Sequence, residues 1–458
     1  MILERLYCAP VPAAWGFLLS MAEQIDLLID ARWVIPVEPD VVLENHAVAV
    51  SDGRVRAILP SIDAHRSFVA KRQVSLRNHM LIPGLVNIHT HAAMALMRGM
   101  ADGLPLMRWL SEHIWPAEKL HLGREFVYDG TKLACAEMLK GGTTCFNDMY
   151  FFPDAAAQAV LDAGMRAAIG MVVFDSVTPY ASDCDDYLNK GLAARDAYGS
   201  NPALSFFFAP HAPYTVSDKS FSKILTYAQE LDLPIHIHLN ETQDEVRSSL
   251  EQHHMSPVSR LSRLGLLGPN LIAVHMVHAS HEDIGILARE GCHVVHCPTS
   301  NLKLASGFAP VSEMMDAGIN VGLGTDGAAS NNRSDMFAEM RLAALLAKGQ
   351  TGKAEALPAH RAIEMATLNG ARALGMDKDI GSLVPGKFAD MVAMEMTGSE
   401  LSPVYDPLSH LVYCAGREHV SHVWVGGEIR VDEGNFVSLD EAALITKAAR
   451  WKERIASA

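Results

Sequence analysis

Between Leu85 and Gly327 short apolar runs alternate with longer stretches of helical pattern. The runs are LVNIHTH, TTCFNDM, RAAIGMVVF, LSFFFAP, PIHIHLNE, LIAVHMVH, CHVVHCP and NVGLGTDG. The stretches between them include GREFVYDGTKLACAEMLKGG and DKSFSKILTYAQELD. Parallel strands are covered on both faces, so they read as near-continuous apolar runs, and their alternation with helices implies βαβ units. Eight such units predict a closed (β/α)8 barrel of the TIM type. An open doubly wound sheet lacks support, because no GxGxxG follows the first run.

The two ends of the chain have a different texture. DLLIDARWVIPV, HAVAVSDGRVRAIL and RQVSLRNHMLIPG near the start show β-branched alternation broken by turn residues, as do GSLVPGKFADMVAMEM and SHVWVGGEIRVDEG near the end. This predicts a small β-sandwich domain formed from both chain termini, residues 22–80 with 384–440, beside a catalytic barrel of residues 81–383. Residues 441–458 read as a C-terminal helix. Residues 1–21 read as a flexible N-terminal extension, whose prolines interrupt an apolar stretch faintly like a secretory signal.

Composition narrows the class. Apolar residues make up 49% of the 458, enough for a large core. A net charge of −15 argues against a nucleic-acid partner, which would need clustered Lys and Arg. No apolar run reaches the roughly 18 residues of a membrane helix. The seven cysteines are scattered and never in CxxC spacing, which suits a cytoplasmic protein with free thiols.

The candidate chemistry lies at the strand ends, where such barrels carry their active sites. The first run ends with His89 and His91, and His211 follows the fourth. The fifth carries His236 and His238, then Glu241; the sixth carries His275 and His278. The seventh carries His293 and His296, and the eighth ends at Asp326. Nine of the 21 histidines fall in these segments, a concentration that points to one rim rather than scatter. In a strand, residues i and i+2 share a face, so His89 and His91 project together. A catalytic divalent metal wants a few N or O ligands and an open position. His89, His91, a histidine of the fifth run and Asp326 can converge on one ion, because the first and eighth strands of a closed barrel are neighbours. No lysine ends the fourth run, so a two-metal site bridged by a modified lysine is not expected. His238 lies nearer the rim. His236, one layer deeper, reads as a packed, hydrogen-bonded interior histidine. His278 and His296 read as structural too, and His253 and His254 as solvent-facing. Glu241, three residues beyond His238, suits a general acid/base, with a helix-start acid as the bland alternative.

PGLVNIHTH, IHIHLNE, HCPTSNLKLASG and GLGTDGAASNN together resemble the amidohydrolase superfamily in its aminohydrolase branch. LMRGMADGLPLMRWL, WPAE and FAPHAPYT resemble more narrowly the 5-methylthioadenosine/S-adenosylhomocysteine deaminases, over about residues 22–440. The resemblance implies one divalent metal per subunit, usually zinc, held by His89, His91, His238 and Asp326. It implies Glu241 as proton shuttle, His275 orienting the attacking water, Glu118 holding the ribose hydroxyls and His211 contacting the nucleoside. The implied reaction is hydrolytic deamination at C6 of an adenine nucleoside: Asp326 accepts the water's proton, Glu241 protonates N1, and ammonia leaves. Relatives are often dimers or tetramers, so a homo-oligomer is expected, with a small-molecule nucleoside substrate and no nucleic-acid or membrane partner. The alternative is a hydrolase that displaces an amine or halide from guanine, a pterin or a triazine, for which a ribose-binding Glu118 would be useless. A non-catalytic scaffold would have no reason to keep four ligands with Glu241 and His275.

The chain departs from that pattern at one place. Relatives that accept S-adenosylhomocysteine hold its carboxylate with arginines after the third run. Residues 167–190 contain none; they hold Lys190 and the aspartates Asp175, Asp183, Asp185 and Asp186. Like charge would repel a carboxylate, whereas Met171, Val172, Val173 and Phe174 would suit a methylthio group. The expected preference is methylthioadenosine.

Overall fold

The computed structural model describes residues 22–457, so the expected extension at residues 1–21 lies outside the described residues. Two eight-stranded sheets organise the chain. The N-terminal strands are β1 (Glu23–Val34), β2 (Leu43–Ser51), β3 (Arg54–Pro60) and β4 (Phe68–Pro83). The eight apolar runs are β5 (Leu85–Thr90), β6 (Thr143–Tyr150), β7 (Arg166–Val173), β8 (Leu204–Pro210), β9 (Ile235–Leu239), β10 (Leu271–His275), β11 (His293–His296) and β12 (Asn320–Leu323). Each pairs in parallel with the next. Every residue of β5, β6 and β7 is buried, which is why these strands read as apolar runs rather than alternating ones.

The barrel closes where β12 meets β5. The Asp326 N–H donates to the His89 carbonyl at 3.0 Å. The Asn87 side chain completes the seam, accepting from the Thr325 N–H at 3.0 Å and donating to Thr325 Oγ1 at 2.8 Å. A Cβ added at Gly324 would lie 2.8 Å from the His89 Cβ, so glycine is what lets this segment pass against the first histidine.

The terminal strands β13 (Met391–Glu395), β14 (Val420–Val425), β15 (Glu428–Asp432) and β16 (Asn435–Phe436) join the first sheet, in the order β16-β15-β14-β13-β4-β1-β2-β3. The N- and C-terminal pieces meet where β4 and β13 run antiparallel, Met391 opposite Pro83. One continuous mixed sheet thus makes the small β unit. It folds over, so that Ile29 and Val48 share a core with Met391 and Trp424. The β2–β3 turn has both Asp52 and Gly53 at positive φ, +51° and +71°, the conformation expected of a tight hairpin. A helix over Glu441–Ala456 docks on the barrel through Asp129, which accepts from Lys447 Nζ at 2.7 Å and Trp451 Nε1 at 3.1 Å.

β4 passes into β5 through Gly84 alone, whose N–H donates to the Asp390 carbonyl at 2.9 Å. The Asp390 carboxylate takes Arg166 Nε of β7 at 2.9 Å and the Gly426 N–H at 2.6 Å. Arg166 and Asp390 are 6% and 3% exposed at the side chain, so this pair is a buried tie between sheet and barrel. Arg166→Ala leaves the Asp390 charge buried without its partner and should cost about 3–5 kcal/mol. A urea midpoint unchanged from wild type would show that the tie contributes nothing.

Candidate active site and metal centre

At the C-terminal rim of the barrel, donor atoms from β9, β10 and the ends of β5 and β12 crowd together. His89 Nε2 lies 3.2 Å from His238 Nε2 and 3.3 Å from Asp326 Oδ1, and His91 Nε2 lies 3.3 Å from the same oxygen. The sets His89–His238–His275 and His89–His91–Asp326 each keep their donor atoms within 4.8 Å of one another. Tetrahedral ligands about 2.0 Å from an ion stand about 3.3 Å apart, so the spacing fits a zinc-sized cation.

The hydrogen bonds on the far ring nitrogens set the direction of the lone pairs. His91 Nδ1 donates to the Met149 carbonyl at 2.6 Å, and His238 Nδ1 to the His211 carbonyl at 2.8 Å. Carbonyls only accept, so each ring turns a bare Nε2 toward the cluster. His275 Nδ1 faces Asn301 Oδ1 at 2.8 Å and is oriented likewise. Burial holds the His89 imidazole down at about 4 and depresses His238 and His275 as well, so the rings are neutral near pH 7. Burial alone would raise Asp326, but its hydrogen bond to His89 and the charges of nearby histidines hold it well below the carboxylate range. Its second oxygen accepts from Ser300 Oγ at 2.6 Å and Ser330 Oγ at 3.1 Å.

The rim backbone is strained. Asn240, His275 and Asp326 have φ of +51°, +76° and +63°. Left-handed conformations cost a non-glycine residue of order 1–3 kcal/mol and persist where surrounding bonds dictate them. Here the Met276 N–H bonds to Leu239 O at 3.1 Å, and the His278 N–H to Asn240 O at 2.9 Å.

Glu241 sits in the turn before the helix Gln243–His253, so it is not a first-turn acid; Thr242 is that helix's N-cap. It is buried with the cluster, its Oε2 3.8 Å from His275 Nε2. Burial, then the Asp326 charge, raises its carboxyl to about 8. Glu245 fixes the turn by accepting the N–H groups of Asn240 at 3.0 Å and Glu241 at 2.8 Å. Above the cluster lies a cavity of about 700 Å³ that His91, His238, His275, Asp326 and Glu241 line at one end. Glu118, on the helix Trp115–His121, lines it from the side and accepts from the Tyr150 hydroxyl at 2.7 Å. Burial raises the Glu118 carboxyl to about 7 against the pull of that bond. His211 stacks on Phe174 with ring centres 4.4 Å apart, and burial drives it down to about 3.

Seven of the eight site residues expected from sequence therefore line one cavity, and the eighth, His89, lies buried beneath it against His238 and Asp326. The readings of the neighbours fare differently. His278 Nε2 donates to the Ser306 carbonyl at 2.7 Å, as a structural group. His236 is interior but its two nitrogens have no hydrogen-bond partner, contrary to the packed, bonded histidine expected. The four aspartates near residue 180 do not line the cavity. Asp183 caps the helix Cys184–Tyr198, Asp186 pairs with Lys190, Asp185 with Lys223, and Asp175 bonds Ser217 and Ser220. Strand alternation also divides the apolar residues: Val172 and Phe174 line the cavity, whereas Met171 packs on Gly191. Tyr150, Ser300, Asn301 and Ser330 were not anticipated, although the last three lie inside the quoted motifs.

A family model described as the amidohydrolase family matches residues 80–430. The chain belongs to the amidohydrolase family. It is accordingly a hydrolase acting on a C–N bond. A 5-methylthioadenosine/S-adenosylhomocysteine deaminase of Teredinibacter turnerae is 48% identical over 432 residues, covering 94% of this chain and 98% of that one. The protein of the same description from Thermodesulfovibrio yellowstonii is 42% identical over 93% and 98%. A crystal structure of an adenosine deaminase from Xanthomonas campestris with bound zinc superposes with a TM-score of 0.94, at 48% identity, over 95% of this chain and all of that one. An atrazine chlorohydrolase from Arthrobacter aurescens, 23% identical, shares the fold with a TM-score of 0.86 over 93% of this chain and all of that one. No helix among the described residues of this amidohydrolase is long and apolar enough to cross a membrane.

The raised Glu118 carboxyl has a consequence for stability. Its folded value near 7 lies above the ordinary 4.5, so the native state disfavours the charge. The cost is absent below about pH 4.5, grows between about 4.5 and 7, and is fully present above that. Glu118→Gln in the metal-free protein should raise the melting temperature at pH 8 and leave it nearly unchanged at pH 5. Calorimetry showing the same shift at both pH values would contradict the assignment.

Proposed function

We propose that this amidohydrolase hydrolytically deaminates an adenine nucleoside, preferring 5′-methylthioadenosine and giving 5′-methylthioinosine and ammonia. The observation that carries the reading is the buried Glu118 carboxyl, held by Tyr150 on the same cavity as the histidine–aspartate cluster and Glu241. A carboxyl so placed suits a ribose diol, and a bare heterocycle would leave it without a partner. S-Adenosylhomocysteine and adenosine are the weaker substrates.

His89, His91, His238 and Asp326 would hold one divalent ion, most simply Zn²⁺. Bound there, the ion would supply Lewis acidity, bringing the pKa of a water toward about 7. The remaining chemistry belongs to the chain. Asp326 accepts a proton from the attacking water. His275, its Nδ1 held by Asn301, orients that water toward C6. Glu241, protonated near neutrality, gives its proton to N1 and so neutralises the charge developing on the ring. The amino group leaves as ammonia. His211 and Phe174 form a flat wall for the nucleoside.

The tail preference rests on Phe151, Val172 and Phe174, which give the cavity an apolar side suited to a thioether. The like-charge argument from the aspartates falls away, since they point to other partners. Among the described residues Lys119 is the one Lys or Arg that lines the cavity, and it sits exposed at the edge, where it offers a longer carboxylate tail a single contact.

A spectrophotometric screen of the zinc-loaded protein should give kcat/KM in the order methylthioadenosine, then S-adenosylhomocysteine and adenosine, with guanine and a chlorotriazine inactive. A higher value for S-adenosylhomocysteine overturns the tail assignment. Glu241→Gln should retain the metal and lose about 10²–10⁴ in kcat. Near-normal turnover with metal bound overturns the role of Glu241.

A further inference from the structure

The histidines of the cluster differ in one respect. His91, His238 and His275 each have the nitrogen away from the cluster in a hydrogen bond. His89 does not: its Nδ1 is buried and has no partner among the described residues. With Nε2 turned toward the ligand set, Nδ1 carries the proton, and a fully buried N–H without an acceptor costs about 1–3 kcal/mol. Metal-binding imidazoles nearly always have that proton taken by a second group, which fixes the ring and raises its basicity.

One other imidazole stands beside His89 with unused capacity. His236 is 0% exposed, and both its nitrogens lack a partner among the described residues. Its ring centre is 5.0 Å from that of His89, at an interplanar angle of 68°. The two rings make no direct hydrogen bond. An imidazole with one ring proton keeps one lone pair free to accept a hydrogen bond. On the strand next to His89, Asn147 is also 0% exposed with both amide atoms unpaired. Unpaired polar groups buried together are where proteins hold internal water.

We propose that His236 is the positioning residue for His89: through one buried water its ring accepts the hydrogen bond that the His89 Nδ1–H donates, and so sets the ligand's orientation and basicity. This rests on the reading of His89 as a metal ligand. It also gives His236 a task beyond filling the barrel, where a phenylalanine would fill the same space against Phe207 without an unpaired nitrogen.

The test measures zinc affinity by equilibrium competition with a chromogenic chelator, beside the melting temperature of the metal-free protein. His236→Phe should weaken zinc binding by about 10–100-fold, the usual effect of removing a ligand's outer partner, while the metal-free melting temperature holds or rises. His236→Gln, which keeps an acceptor, should stay within about threefold of wild type. If the phenylalanine ring does not fit, His236→Leu should show the same loss of affinity. Wild-type zinc affinity in the His236→Phe and His236→Leu proteins overturns the proposal and leaves the ligand set standing. A lowered metal-free melting temperature with unchanged affinity also overturns it, in favour of a purely structural role. A wild-type protein that binds no zinc overturns both readings.

Discussion

Four electron-rich atoms meet in a pocket from which water is largely excluded. Three imidazole nitrogens and a carboxylate oxygen stand a little over 3 Å from their neighbours, with their lone pairs directed inward. Such an arrangement is repulsive unless a cation occupies its centre, and the repulsion is strong where the dielectric is low. Much of the polar structure at the rim exists to hold these groups against that repulsion. The carbonyls of Met149 and His211 fix two tautomers, Ser300 and Ser330 steady the far oxygen of Asp326, and backbone bonds keep Asn240, His275 and Asp326 in left-handed conformations.

The same constraint explains why a second sheet is attached to the barrel. β5 carries two of the histidines and is the strand at which the barrel must close. One side of it is tied to the end of β12 by Asn87 and by the bond from Asp326 to the His89 carbonyl. Its N-terminal end is continuous, through Gly84, with β4 in the middle of the terminal sheet. A strand fixed along its edge and at its root has little freedom to tilt. Metal ligands on such a strand keep sub-ångström positions that a loop could not hold.

Much of this is legible in the sequence because it follows from short-range periodicity. Buried parallel strands leave apolar runs, and alternation by two puts His89 and His91 on one face. What the sequence hides is long-range pairing. Nothing near WPAE says that Glu118 meets a tyrosine from β6, and nothing near His275 says that its backbone is left-handed. The aspartates of SDCDD mislead for a different reason. Their count suggested a charged wall, whereas an acid followed three residues later by another acid is also how a helix begins, and Asp183 does cap Cys184–Tyr198. The alternation that places His89 and His91 also excludes Met171 from the cavity while admitting Val172, so the apolar wall was legible only by half. His236 escaped for the opposite reason: its position was read correctly as interior, but only a full account of hydrogen-bond partners reveals that it has none.

The charge of the cavity follows from burial more than from composition. The chain carries a large net negative charge, yet the acids facing the cavity are held up, Glu118 at about 7 and Glu241 at about 8. The histidines are held down, His89 at about 4 and His211 at about 3. Asp326 alone is firmly ionised. A dication among these groups would therefore meet one full negative charge and neutral nitrogens, leaving an excess of positive charge on the ion. Excess charge is what acidifies a water, so a ligand set with more carboxylates would bind the ion more strongly and activate water less. Near neutral pH the protonated Glu241 contributes no negative charge to offset it and can donate to the purine. The neutrality that burial imposes on the side chains is thus the condition under which one carboxylate would suffice to hold a dication and another could act as an acid.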